Sequence, residues 1–119
     1  MVADWPAALA AYRQSLTLAR RMHDTDLLTD VVHGVAAAVG VQGDAETSAR
    51  LFGAAARLRE EGSLVLPASY RALVETTIAR IQAAMASPET FERYYQEGQA
   101  LSVPQLLELA RQCTQARHD

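Results

Sequence analysis

The chain has 119 residues, a formal net charge of −3 and a composition that is 50% hydrophobic, with only 6% aromatic residues. That length suits one domain, and much of its apolar content is alanine, which favours close-packed helices over sheets. All 11 basic residues are arginine, so a Gly-x4-Gly-Lys-Ser/Thr phosphate loop is excluded, and the interleaving of arginines with acids argues against a nucleic-acid-binding face.

The first helical pattern runs from about Asp4 to His23. Asp4 is the expected N-cap and Pro6 falls in the first turn, where its missing N–H is harmless. Trp5, Leu9, Tyr12, Leu16 and Ala19 share one face at helical spacing. A second helix fits Leu27 to Val41 with Asp26 as N-cap and with Val32, Val35, Ala36 and Val39 as its apolar stripe. Gly43 stops it. Asp44 caps a third helix reaching about Glu61, whose buried side carries Leu51, Phe52, Ala55 and Leu58. Gly62 to Pro67 reads as a loop in which Leu64, Val65 and Leu66 tuck inward.

A fourth helix fits Ala68 to Ala86, with Tyr70, Leu73, Val74, Thr77, Ile78 and Ile81 facing the core. Ser87-Pro88 reads as N-cap and first residue of a fifth helix ending near Gln99. Phe91, Tyr94 and Tyr95 are its large residues, and the tyrosine pair is expected to pack on helices four and six. Ser102-Val103-Pro104-Gln105 has the Ser-x-x-Gln form of a capping box, and Leu106, Leu107, Leu109 and Ala110 form the apolar side of the last helix.

The chain also repeats internally. Asp4 to Tyr12 aligns with Asp44 to Phe52, an offset of 40 residues. In both copies a small residue precedes an aromatic by four, Ala8 before Tyr12 and Ser48 before Phe52, and a second small residue follows, Ser15 and Ala55. This is the Ala-x3-Phe part of the tetratricopeptide pattern, in which small residues let two helices approach and the aromatic fills the gap between repeats. The offset is longer than the usual ~34 residues, and the pattern's other aromatics and its proline are missing. The expected fold is all-α: antiparallel helical hairpins, tetratricopeptide-like over residues 4–61, with a C-terminal helical cap over 62–119. Leu51, Phe52, Leu58, Leu73, Ile78, Ile81, Phe91 and Leu107 are the expected core.

From Gly43 to Ala55 the chain resembles the C-terminal part of large bacterial LuxR-family transcription regulators and of their relatives described as predicted ATPases. Leu66-Pro67, Tyr70-Arg71, Phe91 and Glu97 to Ser102 extend the resemblance, whereas Tyr94-Tyr95 departs from the pair expected there. The absence of lysine and asparagine suits a GC-rich bacterial genome. The resemblance implies a regulatory or scaffolding segment of a larger protein that carries its ATPase and DNA-binding modules elsewhere. The repeat alignment, for its part, places the first helix as the second member of a pair whose partner helix would precede Met1, so that a homodimer through the N-terminal helix is expected of this chain.

The remaining motifs carry no chemistry at this level. His23, Asp24 and Asp26 read as an interhelix turn with a cap rather than as a metal cluster. Glu60-Glu61 and the pair Glu89 and Glu92 lie at helix ends, the latter suited to a helix N-terminus. The single Cys113 excludes an intrachain disulfide and a cysteine zinc site, and with Arg111 and Arg117 nearby but no histidine it reads as an inert thiol. His118 falls in the tail. No apolar run is long enough to span a membrane and no secretory signal is evident, so a cytoplasmic location is expected.

The leading expectation is a non-catalytic protein–protein interaction segment, without cofactor or metal, that contacts a protein partner or the preceding domains of a larger regulator and makes no direct nucleic-acid contact. The alternative is a small-molecule effector site. The candidate interaction surface is Trp5, Leu9, Tyr12, Leu16, His33, Arg50 and Arg57. His33 is expected to face solvent or a groove, and Arg50 and Arg57, two turns apart, are either solvated charge or an anion-binding stripe.

Overall fold

The computed structural model describes the backbone of residues 5–62, 66 and 68–114 and the side chains of 7–62, 66, 68 and 71–114. The expected cap Asp4, the side chains of Trp5 and Tyr70, the loop residues Leu64 and Val65, and Arg117 and His118 lie outside the described residues. Among the described residues the chain is all-α: α1 (Trp5–Met22), α2 (Thr25–Val41), α3 (Ala45–Gly62), α4 (Ala68–Ala83), α5 (Pro88–Gln99) and α6 (Val103–Cys113). No described helix is long and apolar enough to cross a membrane.

The first two turns are built alike. After α1, His23 takes a left-handed conformation (φ 52°), and after α2 Gly43 does the same (φ 104°). In the first turn the His23 N–H donates to the Arg20 carbonyl at 3.4 Å and the Asp24 N–H to the Ala19 carbonyl at 3.0 Å. In the second, the Gly43 N–H donates to the Gly40 carbonyl at 3.2 Å and the Asp44 N–H to the Val39 carbonyl at 3.1 Å. Both are Schellman motifs, which satisfy carbonyls left over at a helix end. In each, the aspartate then caps the next helix, Asp24 accepting from the Leu27 N–H at 3.0 Å and Asp44 from the Thr47 N–H at 3.1 Å. Asp24 is therefore the cap of α2, not Asp26, which lies in the first turn. The two aspartates are alike in type, and only the left-handed residue before Asp24 decides between them.

Helices joined by such short turns pack side by side, α1 on α2 and α2 on α3. The valine stripe of α2 is fully enclosed: Val32, Val35 and Ala36 have no exposed surface. The α2–α3 seam is close because Ser48 is small, and its hydroxyl donates 2.7 Å to the Ala36 carbonyl inside the core. Phe52 is buried one turn further along, where its ring lies 6.3 Å from that of His33. Tyr12 of α1 rests over Gly34 of α2, where an added Cβ would sit 2.7 Å from the phenol ring.

The next long contact skips α4. α5 packs against α3, and the two backbones meet through a pair of glycines. A Cβ on Gly53 of α3 would fall onto the Tyr95 carbonyl oxygen, and a Cβ on Gly98 of α5 onto the Arg50 carbonyl oxygen. α4 rests more lightly on α2 and α3 through Val74, Thr77 and Ile81, all buried. Leu73 is not in the core: it is 53% exposed, because it lies a quarter-turn off the narrow face that α4 turns inward. Ile78 and Leu107 pack on the core from half-buried positions. α6 begins with the expected capping box, Ser102 accepting from the Gln105 N–H at 3.2 Å and the Gln105 side chain from the Ser102 N–H at 2.9 Å. It touches α1, α2 and α3 through Leu106 and Ala110.

Two substitutions test this packing. Phe52→Ala removes a ring that is 2% exposed and is expected to destabilise the fold by about 3–5 kcal/mol in urea titration. Gly98→Ala would gain up to about 1 kcal/mol in an isolated helix. Here its methyl meets the Arg50 backbone, so a net loss of about 1–3 kcal/mol is expected from overpacking.

Candidate functional site

The structure disperses the surface expected from the sequence. On α1, Leu16 is 5% exposed, while Leu9 and Tyr12 are half-buried. Among the described side chains of α1, the large apolar residues left open are Leu18 and Met22, one turn apart on a different flank. His33 faces neither solvent nor a groove: it is 2% exposed, and its Nδ1 lies 3.0 Å from the Thr29 carbonyl.

Arg50 and Arg57 are joined to α5 and form no open anion stripe. Arg50 donates from Nε to Glu97 at 3.0 Å, and its guanidinium stacks 4.6 Å from the centre of the Tyr94 ring. Arg57 donates from Nη1 to the Gln99 carbonyl at 2.9 Å and the Leu101 carbonyl at 2.6 Å, and from Nε to Glu61 at 3.1 Å. Two carbonyls at the end of α5 thus receive a cation, which suits the negative pole of that helix. Tyr94 and Tyr95 do not pack on α4 and α6 as expected: α5 lies against α3, which brings Tyr94 to Arg50 and the Tyr95 backbone to Gly53, with the Phe91 and Tyr95 rings 5.5 Å apart.

The arrangement that does form a concave site was not evident in the sequence. A cavity of about 310 Å³ lies where the α1–α2 turn, α3 and the start of α6 meet, lined by Ala19, Leu28, Leu58, Val103 and Leu107 with Arg20, His23, Asp24 and Thr25. A second of about 320 Å³ continues along α6 between Arg20, Pro104, Leu107, Glu108 and Arg111. Arg20 and Leu107 line both, so the two form one groove with an apolar floor and a polar rim. The stretch of α6 from Val103 to Arg111 fixes its length at about 12 Å.

The rim's charges differ in how they are engaged. Asp24 accepts from the Leu27 N–H through Oδ1. Glu108 accepts from Arg111 Nη2 at 2.6 Å and from Gln112 Nε2 at 3.1 Å, and these donors hold its carboxyl below the usual range. Arg20 has no ion pair among the described residues. The first turns of α2 and α6 both open into the groove and add partial positive charge. His23 lines the same cavity from a left-handed backbone position.

A third cavity, of about 360 Å³, lies at the twin turn among Val39, Gln42, Gly43, Asp44 and Cys113, and its one carboxylate is occupied by the Thr47 N–H. None of His33, Arg50 and Arg57 lines these three cavities. Among the described residues no three His, Cys, Asp or Glu side chains stand together as metal ligands. The hydroxyls of Thr29, Ser48, Thr76 and Thr77 donate to backbone carbonyls, and those of Ser87 and Ser102 cap helices.

Comparison with family models, with curated proteins and with solved structures gives no match to the chain.

Of the groove residues, Arg20, Leu28, Val103 and Pro104 carried no functional signal in the sequence. The tertiary approach of α6 to the α1–α2 turn makes them neighbours.

The buried histidine gives a pH prediction. Burial pushes the His33 imidazole down to about 4, against the smaller opposing effect of the Thr29 carbonyl, and the Arg59 guanidinium lowers it further. The unfolded chain takes up this proton near pH 6.5, the native chain only near pH 4. His33 therefore contributes stability above pH 6.5 that is lost as pH falls to 4, on the order of 3 kcal/mol in all. Urea titrations of the wild type and of His33→Phe across this window are expected to diverge, the wild type losing stability more steeply.

Proposed function

We propose that this chain is a non-catalytic protein-interaction and scaffold segment of a bacterial transcription regulator, acting in the cytoplasm, and that the groove between α1 and α6 is its docking surface. The observation that carries this reading is the concave site itself, where the part-exposed Val103 and Leu107 stand over the buried Leu28 and Leu58 beneath a polar rim. Rigid helices position it, and an exposed apolar concavity of this kind suits the side chains of a partner. The likeness of Gly43 to Ala55 and of Glu97 to Ser102 to the C-terminal part of LuxR-family regulators supplies the regulatory context.

A small-molecule effector is the second reading. It draws support from the volume, since about 310 Å³ falls at the lower edge of the range for ligand pockets. The groove's continuation along α6 favours a polypeptide, which fills two adjoining hollows with successive side chains. Nucleic acid is not proposed. The net charge is −3, and Arg50, Arg57 and Arg111 are each engaged within the chain.

Selection of helical peptides from a display library on the full chain tests the docking surface. Bound peptides are expected to shift the amide resonances of Leu58, Val103 and Leu107. Val103→Glu changes a residue that is 39% exposed and is expected to abolish binding while leaving the circular dichroism unchanged. Binders indifferent to Val103→Glu would place the surface elsewhere.

Self-association is proposed as a second use of α1. Leu18 and Met22, 49% and 62% exposed, form an apolar pair on its open flank, apart from the groove. Sedimentation at tens of micromolar is expected to show a dimer that Leu18→Glu with Met22→Glu converts to monomer. A wild-type chain that stays monomeric there would remove this part of the proposal.

A further inference from the structure

We propose that α4 is a cover helix that opens as one unit, leaving α3 and α5 joined, and bares the seam between α2 and α3. This goes beyond the docking role given to the groove. No α4 residue is among those that line it, so either reading can fail without the other.

The order of the chain and the order of packing carry the inference together. α4 lies between α3 and α5 in sequence, yet α3 and α5 pack directly on each other. Their backbones meet at Gly53 and Gly98. Two arginines of α3 fasten the junction, Arg50 to Glu97 at 3.0 Å and Arg57 to the Gln99 and Leu101 carbonyls at 2.9 and 2.6 Å. None of these contacts passes through α4. With α4 lifted, residues 63–87 become a loop whose two ends stay held by the packed α3 and α5. The released chain gains conformational entropy, while the contacts among α2, α3 and α5 persist.

α4 itself is held along a narrow line. It rests on α2 and α3 through Val74, Thr77 and Ile81, which share one stripe at i, i+3 and i+7. Leu73, Glu75, Thr76, Ala79 and Arg80 are exposed. Among the described residues, its side-chain hydrogen bonds stay within its own segment. Arg71 donates to the Leu66 carbonyl at 3.3 Å, and the Thr76 and Thr77 hydroxyls donate to the Ala72 and Leu73 carbonyls at 2.8 and 2.9 Å. Bonds of this kind do not tie the helix to α2 or α3. Its intrinsic preference for helix is also weak, since Val74, Thr76, Thr77, Ile78 and Ile81 are all β-branched. A segment with few buried apolar contacts and an exposed backbone face opens at lower free energy than the core it covers.

The ground beneath α4 is shaped to receive it and to survive its departure. Ile81, 1% exposed, sits over Gly40 of α2. An added Cβ there would lie 3.0 Å from Ile81 Cγ2 and 2.8 Å from Ser48 Oγ. Gly40 thus leaves a small recess at the α2–α3 seam, and Ile81 fills it from outside. The bond from the Ser48 hydroxyl to the Ala36 carbonyl runs between α3 and α2 and stays made when Ile81 leaves.

Native-state hydrogen exchange of the full chain in low urea tests the proposal. The amides of Val74, Thr77 and Ile81 are expected to exchange about tenfold or more faster than the slowest amides of α2, α3 and α5, through an opening with a smaller urea dependence than global unfolding. Gly98→Ala strains the α3–α5 crossing. That strain persists while α4 alone is open and is relieved only when the whole chain unfolds. The substitution is therefore expected to speed the slowest amides of α3 and α5 about tenfold and to leave those of α4 unchanged. Arg57→Gln loosens the same junction without adding an atom at the crossing and is expected to act in the same way. Thr76→Ala changes an exposed residue of α4 to a better helix former and is expected to slow all three α4 amides by one common factor of about three.

Amides of α4 that share the urea dependence of α3 and α5, or that quicken with them in Gly98→Ala and Arg57→Gln, would show that α4 opens only with the whole fold and overturn the proposal. An effect of Thr76→Ala confined to the amides next to residue 76 would mean local fraying in place of a unit, and would overturn it as well.

Discussion

Two helices can approach to backbone contact where one of the facing residues has no Cβ to hold the other's backbone off. α3 and α5 do so reciprocally, with Gly53 against Tyr95 and Gly98 against Arg50. Arg50, Gly53 and Arg57 lie at i, i+3 and i+7 and so form one stripe along α3, and the two arginines fasten α5 on either side of the crossing. The Arg57 bonds also bear on the placement of α6. They fix the Gln99 and Leu101 carbonyls, and Leu101 leads directly through Ser102 into α6. α6 in turn forms one wall of the groove. One wall of the groove is therefore placed in part by a contact that none of its residues makes.

The other wall is local. The α1–α2 turn is fixed by two backbone hydrogen bonds and by the Asp24 cap, and Leu28 follows within one turn of α2. Between the walls Leu58 of α3 forms part of the floor. Leu106 and Ala110 hold α6 down from its buried side, which leaves Val103 and Leu107 turned toward the hollow. A helix that was merely a lid would bury both. Here the capping box starts α6 at Ser102 and leaves Val103, its first residue, at the mouth.

Much of the fold was legible in the sequence because it depends on short-range chemistry. The spacing of Val32, Val35, Ala36 and Val39, the Ser-Pro start of α5 and the capping box of α6 each depend on neighbours within a few residues, and each is as expected. The small-residue-before-aromatic pattern at Ser48 and Phe52 also found a buried seam. Failures fell where a distant partner decides. Leu73 and Val74 are both apolar, and only the placement of α4 on α2 and α3 chooses between them. His33 is polar in type, yet the carbonyl four residues earlier receives its Nδ1 and lets the ring stay inside. Arg50 and Arg57 read as surface charge because their acceptors are more than 40 positions away in the chain. Gly53 and Gly98 carry no periodic signal at all, since a glycine in a helix is locally unfavourable and its reason lies in the opposite helix. The candidate site was the least legible part, because it joins residues of four helices and its one polar outlier, His23, read as part of an ordinary turn.

The two Schellman turns make a comparison within one chain. They have the same hydrogen-bond pattern, the same aspartate and the same following cap, so the backbone requirement at the left-handed residue is the same. Glycine meets it without steric penalty in the second turn, and an L-residue costs on the order of 1 kcal/mol or more there. Histidine is among the residue types that enter this region more often than most, which reduces the penalty without removing it. In a domain whose net stability is of order 5–15 kcal/mol, that is a noticeable fraction, and no hydrogen bond of the turn repays it. The difference between the two positions is what lies against them. Gly43 borders a cavity whose single carboxylate already caps α3. His23 borders the apolar groove next to an arginine without an ion pair among the described residues. Arg20 alone would be weak evidence, since an exposed arginine in the last turn of a helix already complements that helix's dipole. It lines the same cavity as the left-handed His23, and that shared place is where the two turns differ most.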